Sequence, residues 1–404
     1  MENQFEIENS SMRLVLDSRG NRTVEATIRL KGGSTGTCSA PSGASTGATE
    51  VKSFRNSSAE ESVKYFNRTV RQSISGFNGL NQSGFDDLLR KIDGTNDFSE
   101  MGGNASTALS IALAKAVSQQ SGIPLYRYAG GSFRGKMPKP LGNVIGGGKH
   151  AINGTTIQEF FISNDSKSFL KAMEFNVAVH RRIGQMAKEI FKDVSIGVGD
   201  EKAWTLSIDD TRAMEMLKEA AMQVSKELKA NYILGFDAAA SSFFENGKYV
   251  YRDHKKTRDE QIDFVIESHK KFGFTVIEDP MDENDFEGHA AITHAIGKNA
   301  LIVGDDLYTT NAERIREGIK KKSTNAVLIK VNQIGTLSDT WDAVKTATEA
   351  SMKNVISHRS GETEDNFIAH LSIAFSSDYI KSGAIGGERL AKLNELVRIQ
   401  EDMD

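Results

Sequence analysis

A chain of 404 residues is too long for one simple core and suits two domains, and its 38% hydrophobic and 26% charged residues are typical of a globular protein. The formal net charge of −4, with both signs interspersed, gives no indication of a nucleic-acid or membrane partner. Cys38 is the only cysteine, which excludes an internal disulfide and any multi-cysteine metal site.

The start of the chain and its apolar runs bear on where the protein resides. The first residues, "MENQFEIENSS", lack the basic and apolar regions of a signal peptide. No apolar run approaches the roughly 20 residues that span a bilayer. A single cysteine also suits a reducing compartment, so we expect a cytoplasmic protein.

The first part of the chain predicts a small α+β domain over residues 1–135. "TVEATIRL" alternates apolar and polar residues, which predicts a half-buried antiparallel strand with "TCSAP" as its partner. Ser58 and Glu61 have the spacing of a capping box at the start of a helix, and a second helix, "NASTALSIALAKAVSQQSG", ends at Gly122. The prolines of "GKMPKP" mark the domain boundary.

From residue 136 to residue 404 short apolar strands alternate with amphipathic helices. The strand candidates are "IQEFFIS", "VSIGVGD", "YILGFD", "FTVIEDP", "ALIVGDD", "AVLIKV", "NVISHR" and "YIKSGA". Eight such units predict an α/β fold with a closed, eight-stranded (β/α) barrel. An open doubly wound sheet is the alternative, and the irregular segment before "IQEFFIS" indicates that the first units depart from a regular barrel.

A charged residue stands at or near the end of each predicted strand. These residues are Glu159, Glu201, Asp237, Glu278, Asp305, Lys330, His358 and Lys381. In a parallel barrel all of them would converge on one mouth, where the active sites of this fold lie. A solvated charge is the more ordinary explanation for any one of them, but it does not account well for all eight together.

Three of these residues, Asp237, Glu278 and Asp305, follow successive strands and form a set of carboxylates that suits Mg²⁺. Without a cation, converging carboxylates would repel and raise one another's pKa. The sequence contains neither an HExxH motif nor a cysteine cluster that would indicate zinc instead.

Two lysines, Lys330 and Lys381, face this set across the predicted barrel. A metal ion beside a lysine disfavours its ammonium form, so Lys330 is a candidate base near neutral pH. Glu159 and Glu201, on the first two predicted strands, are candidates for the acid. The predicted reaction is proton abstraction beside a carboxylate, with metal stabilising the resulting dianion.

Two loops are candidates for contact with an anionic substrate. "PSGASTG", residues 41–47, is small and flexible, and it is either a lid that brings Ser45 to the site or an ordinary surface loop. In "SHRSGETED", Arg359 offers a planar fork for phosphate and Ser360 a hydroxyl group. "VIGGGKH" is rich in glycine, but it lacks the spacing of a phosphate-binding loop.

Short motifs along nearly the whole chain resemble those of enolase, the glycolytic enzyme that interconverts 2-phosphoglycerate and phosphoenolpyruvate. They are "LDSRGN", "APSGASTG", "GNVIGGGKHA", "QEFFI", "GVGDE", "IEDP", "IVGDDLYTTN", "LIKVNQIGTLS", "SHRSGETED", "IKSGA" and "ERLAKLNEL". The motifs near the C-terminus are those of enolase proper rather than of its wider superfamily. A lysine base with one or two Mg²⁺ ions is the established pattern of that superfamily, so the chemistry inferred above is a known one.

The resemblance implies an enolase-type barrel, at least a homodimer in which Glu25 pairs with Arg398, and a role for each candidate. Lys330 matches the general base, and Glu201 matches the general acid, assisted by Glu159. The other matches are Asp237, Glu278 and Asp305 to the metal ligands, Arg359 and Ser360 to phosphate contacts, Lys381 to the contact with the substrate carboxylate, His150 and His358 to further active-site positions, and Ser45 to the mobile-loop serine that helps ligate a second Mg²⁺.

The sequence departs from the enolase pattern at several positions, although every residue with an assigned role is intact. Lys202 and Ala203 stand where the family has two glycines, and the loop after Glu201 is short. Elsewhere Arg22 replaces a proline, and Thr49, Ser53 and Asn56 replace His, Glu and Asp after the lid. If Glu201 ends a strand and points into the mouth, Lys202 should point away from it.

Two other functions compete with an active enolase. A superfamily dehydratase or racemase would act on unphosphorylated acids, but Arg359, Ser360 and Ser45 are suited to gripping a phosphate. The other alternative is a catalytically weakened enolase paralogue that acts as a binding protein. Its only support is Lys202 and the altered flank of the lid.

Overall fold

The computed structural model describes residues 2–44, 46–131, 135–151, 154–192 and 195–403, without the side chains of Glu2 and His150. Two predicted site residues are affected. Ser45 and the side chain of His150 lie outside the described part of the chain.

The N-terminal domain contains a three-stranded antiparallel sheet of β1 (Ile7–Leu16), β2 (Arg22–Leu30) and β3 (Thr35–Ser39). The alternating residues on one face of β2, which are Val24, Ala26, Ile28 and Leu30, are fully buried. β2 pairs with β3 in a register that places Ala26 opposite Cys38. The predicted strand and its partner are therefore confirmed.

Five α-helices follow in the described part of this domain. They are α1 (Ala59–Tyr65), α2 (Arg71–Ser73), α3 (Gln82–Asp93), α4 (Gly103–Ser121) and α5 (Leu125–Gly130), and a π-helical turn (Phe66–Val70) joins α1 to α2. Ser58 caps α1 as predicted, because its side chain accepts a hydrogen bond from the N–H of Glu61 at 3.3 Å. α4 ends at Gly122, whose φ of 68° is the left-handed conformation typical of a helix end.

α4 packs directly against the sheet, and Gly36 of β3 permits this close approach. A Cβ atom at residue 36 would collide with the carbonyl oxygen of Ala112 and the nitrogen of Ala116. Both atoms belong to the backbone of α4, so they cannot move aside as the end of a side chain can. The contact therefore depends on the absence of a side chain at this position.

The rest of the chain surrounds a closed barrel. The strands of this part of the chain, not all of which belong to the barrel, are in chain order β4 (Lys139–Gly146), β5 (Glu159–Ser163), β6 (Gly197–Val198), β7 (Trp204–Thr205), β8 (Ile233–Asp237), β9 (Phe244–Glu245), β10 (Lys248–Val250), β11 (Lys255–Lys256), β12 (Phe274–Glu278), β13 (Leu301–Gly304), β14 (Ala326–Ile329), β15 (Lys353–Ser357) and β16 (Tyr379–Lys381). The barrel consists of β4, β5, β8 and β12 to β16 in this order, and it closes where β16 pairs with β4. The predicted eight-stranded barrel is confirmed.

Helices cover this barrel on the outside and link its strands. They are α6 (Phe169–Ile190), α7 (Asp210–Leu228), α8 (Arg258–Phe272), α9 (Phe286–Ile296), α10 (Ala312–Lys321), α11 (Val331–Ile334), α12 (Leu337–Glu349), α13 (Phe367–Ala374) and α14 (Gly387–Met403). Across the described ranges, no helix has both the length and the apolar composition needed to cross a membrane.

The prediction that "VSIGVGD" forms a barrel strand is wrong. The described part of this segment contains β6, which forms a short hairpin with β7 outside the barrel. The missing strand is β4, a segment that contains one proline and two glycines and therefore lacks a continuous apolar run. The hairpin stays attached to the barrel because β7 pairs with β4, with Gly146 opposite Thr205.

The barrel is also not parallel throughout. β5 runs antiparallel to both of its neighbours, β4 and β8, whereas the other neighbouring strands are parallel. The described part of the link between β4 and β5 contains a 3₁₀ turn (Gly148–His150) but no α-helix. A parallel pair ordinarily needs a helical crossover, so a direct return of the chain makes this pair antiparallel.

We predict that Gly36→Ala destabilises the protein by about 1–3 kcal/mol, the usual cost of overpacking a core. Urea denaturation measures this change. Gly387→Ala is the control, because a Cβ atom there meets no described atom within 4 Å. Its effect should stay within about 0.5 kcal/mol. Equal unfolding midpoints for the two variants would contradict the proposed contact.

Candidate active site

Six of the predicted site residues stand at the carboxyl ends of parallel barrel strands. Asp237, Glu278 and Lys381 are the last residues of β8, β12 and β16, and Asp305, Lys330 and His358 directly follow β13, β14 and β15. The carboxyl ends of parallel strands lie at the same end of a barrel. The structure therefore brings these six side chains to one mouth.

Glu159 reaches the same mouth from the other end of its strand. It is the first residue of β5, and β5 runs antiparallel to β8. The first residue of β5 therefore lies level with the last residue of β8, and Glu159 pairs with Asp237 in register. The direction of this strand decides the position of Glu159, and the sequence pattern did not indicate that direction.

Glu201 is carried by a turn rather than by a barrel strand, contrary to the prediction. It lies between β6 and β7, and its side chain is buried. Asn143 of β4 donates a hydrogen bond from Nδ2 to Oε2 of Glu201 at 3.1 Å. Oε1 of Glu201 lies 3.4 Å from Nε2 of His358. The hairpin thus delivers the carboxyl group to the mouth without a strand of its own.

Lys381 is buried at the centre of the carboxylates. Its Nζ lies 2.8 Å from Glu278, 3.3 Å from Asp237 and 3.3 Å from Glu159. Burial disfavours the ammonium form, but the three carboxylates outweigh it, so the pKa of Lys381 lies well above its ordinary value. Burial and the charge of Glu201 raise the pKa of Glu159 well above normal. Burial and the charge of Asp237 do the same for the pKa of Glu278.

Lys330 forms a second buried ion pair, with Asp305. Gln333 supports this pair by donating a hydrogen bond to Oδ1 of Asp305 at 2.9 Å. Burial opposes the charge of Lys330, but the attraction of Asp305 outweighs it and raises the pKa of Lys330. Burial would raise the pKa of Asp305, but Lys330 outweighs it and lowers that pKa. Each partner therefore stabilises the charged form of the other.

Arg359 is buried and is held by a residue that the sequence analysis missed. Its guanidinium donates to both carboxylate oxygens of Glu50, at 3.0 and 3.1 Å, and to Oδ1 of Asn332 at 3.0 Å. Glu50 follows the predicted lid loop, and no motif or periodicity marked it. Oγ of Ser360 accepts a hydrogen bond from the N–H of Ala44 in that loop at 2.6 Å. The described part of the loop therefore lies against the residues predicted to bind phosphate.

His358 is oriented by Arg389, a second residue that the sequence analysis missed. Arg389 is fully buried and donates a hydrogen bond to Nδ1 of His358 at 2.8 Å. A ring nitrogen that accepts leaves the proton on Nε2, the nitrogen that faces Glu201. Burial lowers the pKa of His358 to about 4, so the ring is neutral at physiological pH. Arg389 lies in the recognised motif "ERLAKLNEL", but no role had been assigned to it.

The carboxylates at the mouth can hold a divalent cation. Among the described residues, the carboxylate oxygens that all lie within 4.8 Å of one another belong to Asp279, Asp305 and Asp306 rather than to the predicted set. Asp279 already accepts the N–H groups of Asp305 and Asp306, at 2.9 and 2.7 Å. By contrast, Oε1 of Glu278 is buried without a hydrogen-bond donor among the described groups. The predicted ligand Glu278 therefore still has an oxygen available for a hard cation that shares Asp305, whereas both oxygens of Asp237 accept hydrogen bonds from described groups.

The side chains at the mouth leave a cavity of about 20 Å³, which is room for about one water molecule. Lys330 lines it from β14, and Glu159 lines it from β5, the strand opposite β14 in the barrel order. A small-molecule substrate therefore needs more room than the side chains leave in this arrangement. The cavity places an amine and carboxyl groups on opposite sides of any such molecule.

Lys202 points away from the mouth, but not for the predicted reason. It lies in the turn after Glu201 rather than on a strand, and its φ of 62° is in the left-handed region. Its side-chain stem packs against Gly386 in the loop before α14. The described residues that line the cavity do not include Lys202.

Comparisons with known proteins agree with the fold. The family model "Enolase, N-terminal domain" matches residues 7–129, and "Enolase, C-terminal TIM barrel domain" matches residues 134–404. An enolase of Thermoplasma acidophilum is 58% identical over 98% of this chain and 99% of its own length. Enolases of Picrophilus torridus, at 54% over 99% of both chains, and of Archaeoglobus fulgidus, at 45% over 98% of both chains, are also similar. The chain therefore belongs to the enolase family and is a lyase of that family.

Proposed function

We propose that this lyase interconverts 2-phosphoglycerate and phosphoenolpyruvate, with Lys330 as the base and Glu201 as the acid. The observation that supports this proposal is the single cavity lined by Lys330 on one side and by Glu159 and Glu201 on the other. A base and an acid on opposite sides of a substrate suit the removal of a proton and a hydroxide from adjacent carbons. The alternative of a weakened paralogue is not favoured, because eight of the described residues with assigned roles line this cavity.

In the dehydration direction, Lys330 takes the proton from C2, and the electron pair of that bond moves into the substrate carboxylate. Glu201 then gives a proton to the hydroxyl group on C3, the C3–O bond breaks, and water leaves as the C2–C3 double bond forms. The raised pKa of Glu159, caused by burial and by Glu201, supports the presence of a proton on this pair of carboxyl groups. Hydration follows the same steps in reverse.

We assign the substrate contacts as the resemblance implies. Arg359 and Ser360 hold the phosphate, Lys381 holds the carboxylate, His358 orients Glu201, and Ser45 and His150 complete the set. Because Glu50 accepts hydrogen bonds from both Nη1 and Nη2 of Arg359, it fixes the orientation of the guanidinium, and the phosphate is bound by N–H groups that Glu50 does not use.

The enolase relatives imply a divalent metal, and we propose Mg²⁺ held by Asp237, Glu278 and Asp305, with Ser45 at a second Mg²⁺. When bound, Mg²⁺ supplies positive charge that stabilises the dianion formed by proton abstraction. Asp305 is the group that keeps the pKa of Lys330 high. If Asp305 shares its charge with a cation, Lys330 releases its proton more readily and becomes available as a base.

The assembly, the location and the domain boundary belong to the same proposal. We propose a homodimer in which Glu25 meets Arg398 of the other copy, and the 66% exposure of the Arg398 side chain is consistent with such a contact.

A cytoplasmic location fits the single, buried cysteine. The boundary between residues 135 and 136 lies beside two closely spaced prolines, Pro138 and Pro140.

The function is tested by absorbance in the ultraviolet band of phosphoenolpyruvate after 2-phosphoglycerate and Mg²⁺ are added. We expect a steady rise with the natural protein and a loss of about 10²–10⁴-fold or more in Lys330→Met, the range for removal of a general base. Lys345→Met, which changes an exposed lysine of α12, serves as the control and should retain the natural rate. An unchanged rate in Lys330→Met would remove Lys330 from the chemistry, and no absorbance change with the natural protein would refute the proposed reaction.

The metal assignment predicts that Asp305→Asn weakens Mg²⁺ binding at least about tenfold. A tenfold change in affinity corresponds to about 1.4 kcal/mol of binding free energy. The reason is that the substitution removes one negative charge from the ligand set. Titration calorimetry measures the affinity, and thermal unfolding checks that the fold survives. Asp342→Asn is the matched control on the exposed surface. The same Mg²⁺ affinity in both variants would exclude Asp305 from the metal site.

The assembly proposal predicts a mass of about twice 44.2 kDa at micromolar concentration, the scale at which an association energy of roughly −8 kcal/mol is detected. Analytical ultracentrifugation gives this mass directly. Arg398→Ala should shift the mass towards the monomer, because it removes the cation of the proposed pair. A control is Arg316→Ala, which changes an exposed arginine of α10. A natural protein that sediments only as a monomer would contradict the dimer.

A further inference from the structure

The turn that carries Glu201 is tied to α6 by two hydrogen bonds. Nε2 of His180 lies 2.8 Å from the carbonyl oxygen of Lys202. A carbonyl oxygen only accepts, so the ring must donate from Nε2. In return, Nε1 of Trp204 donates to the carbonyl oxygen of His180 at 2.8 Å. The two bonds hold Lys202 and Trp204, which lie on either side of Ala203 and follow Glu201 in the chain.

Packing reinforces these two hydrogen bonds. The rings of His180 and Trp204 are stacked, with centroids 5.3 Å apart and planes inclined by 26°. One helical turn later, Gly184 leaves the surface of α6 open for the indole, because a Cβ atom at residue 184 would collide with the Trp204 ring. The indole therefore lies against the backbone of α6 and has little freedom to shift. His180 itself is buried.

The conformation of the turn explains why it needs such support. Lys202 has a φ of 62°, a region that residues with a Cβ atom seldom adopt. Glycine, which the enolase pattern has at this position, adopts it readily. In this chain the strained turn persists because neighbouring groups hold it in place. The bond from His180 acts on the carbonyl group of the strained residue itself.

We propose that His180, together with Trp204, is a positioning residue that holds the carboxyl group of Glu201 in place for its acid step. Neither His180 nor Trp204 is among the described residues that line the cavity, so neither contacts the reacting atoms. Both act through the backbone on each side of Ala203. This inference rests on the proposed function, because it concerns the residue assigned there as the acid.

The two halves of the proposed reaction separate this role from a purely structural one. Lys330 alone removes and returns the C2 proton, so in D₂O it exchanges that proton for deuterium without the help of Glu201. Loss of the C3 hydroxide requires Glu201. A misplaced Glu201 therefore slows dehydration and leaves C2 exchange intact, whereas a general loss of folded protein lowers both rates equally.

The experiment compares His180→Leu, which removes the donor, with His180→Gln, whose side-chain N–H reaches the place of Nε2. Dehydration is followed by absorbance, and C2 exchange by proton NMR of 2-phosphoglycerate in D₂O with Mg²⁺. In His180→Leu we expect kcat for dehydration to fall by about 100-fold, the effect of a misplacement of about 1 Å. The KM for 2-phosphoglycerate and the rate of C2 exchange should change by less than about threefold, since the substrate contacts and Lys330 are untouched. His180→Gln should restore most of the dehydration rate.

His289→Leu is the matched control. His289 is also fully buried, and its ring nitrogen lies 2.9 Å from a main-chain carbonyl oxygen, that of Asp285, far along the chain from Glu201. This variant should lower the unfolding temperature without separating the two rates. Trp204→Phe removes the other hydrogen bond and should show the same separation as His180→Leu. It also provides the measurement if His180→Leu does not fold.

Equal losses of exchange and dehydration in the His180 and Trp204 variants would overturn the inference. A loss of the dehydration rate no larger than that in His289→Leu would also overturn it. If the natural protein catalyses neither reaction, the proposed function itself fails, which is a different result from failure of the positioning role alone.

Discussion

The site depends on one constraint, which is that charges buried at the barrel mouth must be balanced by neighbouring charges. An isolated ion in a protein interior costs several kcal/mol, even after relaxation. Here the ammonium of Lys381 lies among Glu159, Asp237 and Glu278, and Lys330 lies against Asp305. Each of these groups comes from a different barrel strand or from the residue that follows one. Closure of the barrel, and not any single element, therefore makes the arrangement stable.

The balance at this mouth is incomplete, and the shortfall matches the proposed chemistry. Seven carboxyl groups, those of Glu159, Glu201, Asp237, Glu278, Asp279, Asp305 and Asp306, lie around two ammonium groups, and Arg359 is already neutralised by Glu50. Full ionisation would leave an excess of five negative charges. One proton on the Glu159–Glu201 pair and one divalent cation would remove three of them, and burial together with neighbouring carboxylates raises the pKa values of Asp279 and Asp306. The same proton and the same cation are what the acid step and the stabilisation of a dianion require.

A second layer of buried residues connects this mouth to distant parts of the chain. Glu50 of the N-terminal domain holds Arg359, Arg389 of the last helix holds His358, and His180 of α6 holds the turn of Glu201. None of these three contributes an atom that the proposed reaction consumes. They determine instead where the reacting groups stand, and small displacements of such groups have large effects on rate. The N-terminal domain is thus a part of the site, because the environment of Arg359 is incomplete without Glu50.

The sequence by itself determined the candidate residue types of the site, seven of the eight barrel strands and several helix boundaries. These features follow from local rules, since a strand end or a helix cap depends on a few consecutive residues, as Ser58 and Gly122 show. Tertiary structure alone decided that β5 is antiparallel, that β4 replaces "VSIGVGD" in the barrel, and that Glu201 sits on a hairpin. It also decided the roles of Glu50, Arg389 and His180. Their partners are 309, 31 and 22 residues away along the chain, distances over which no local periodicity carries information.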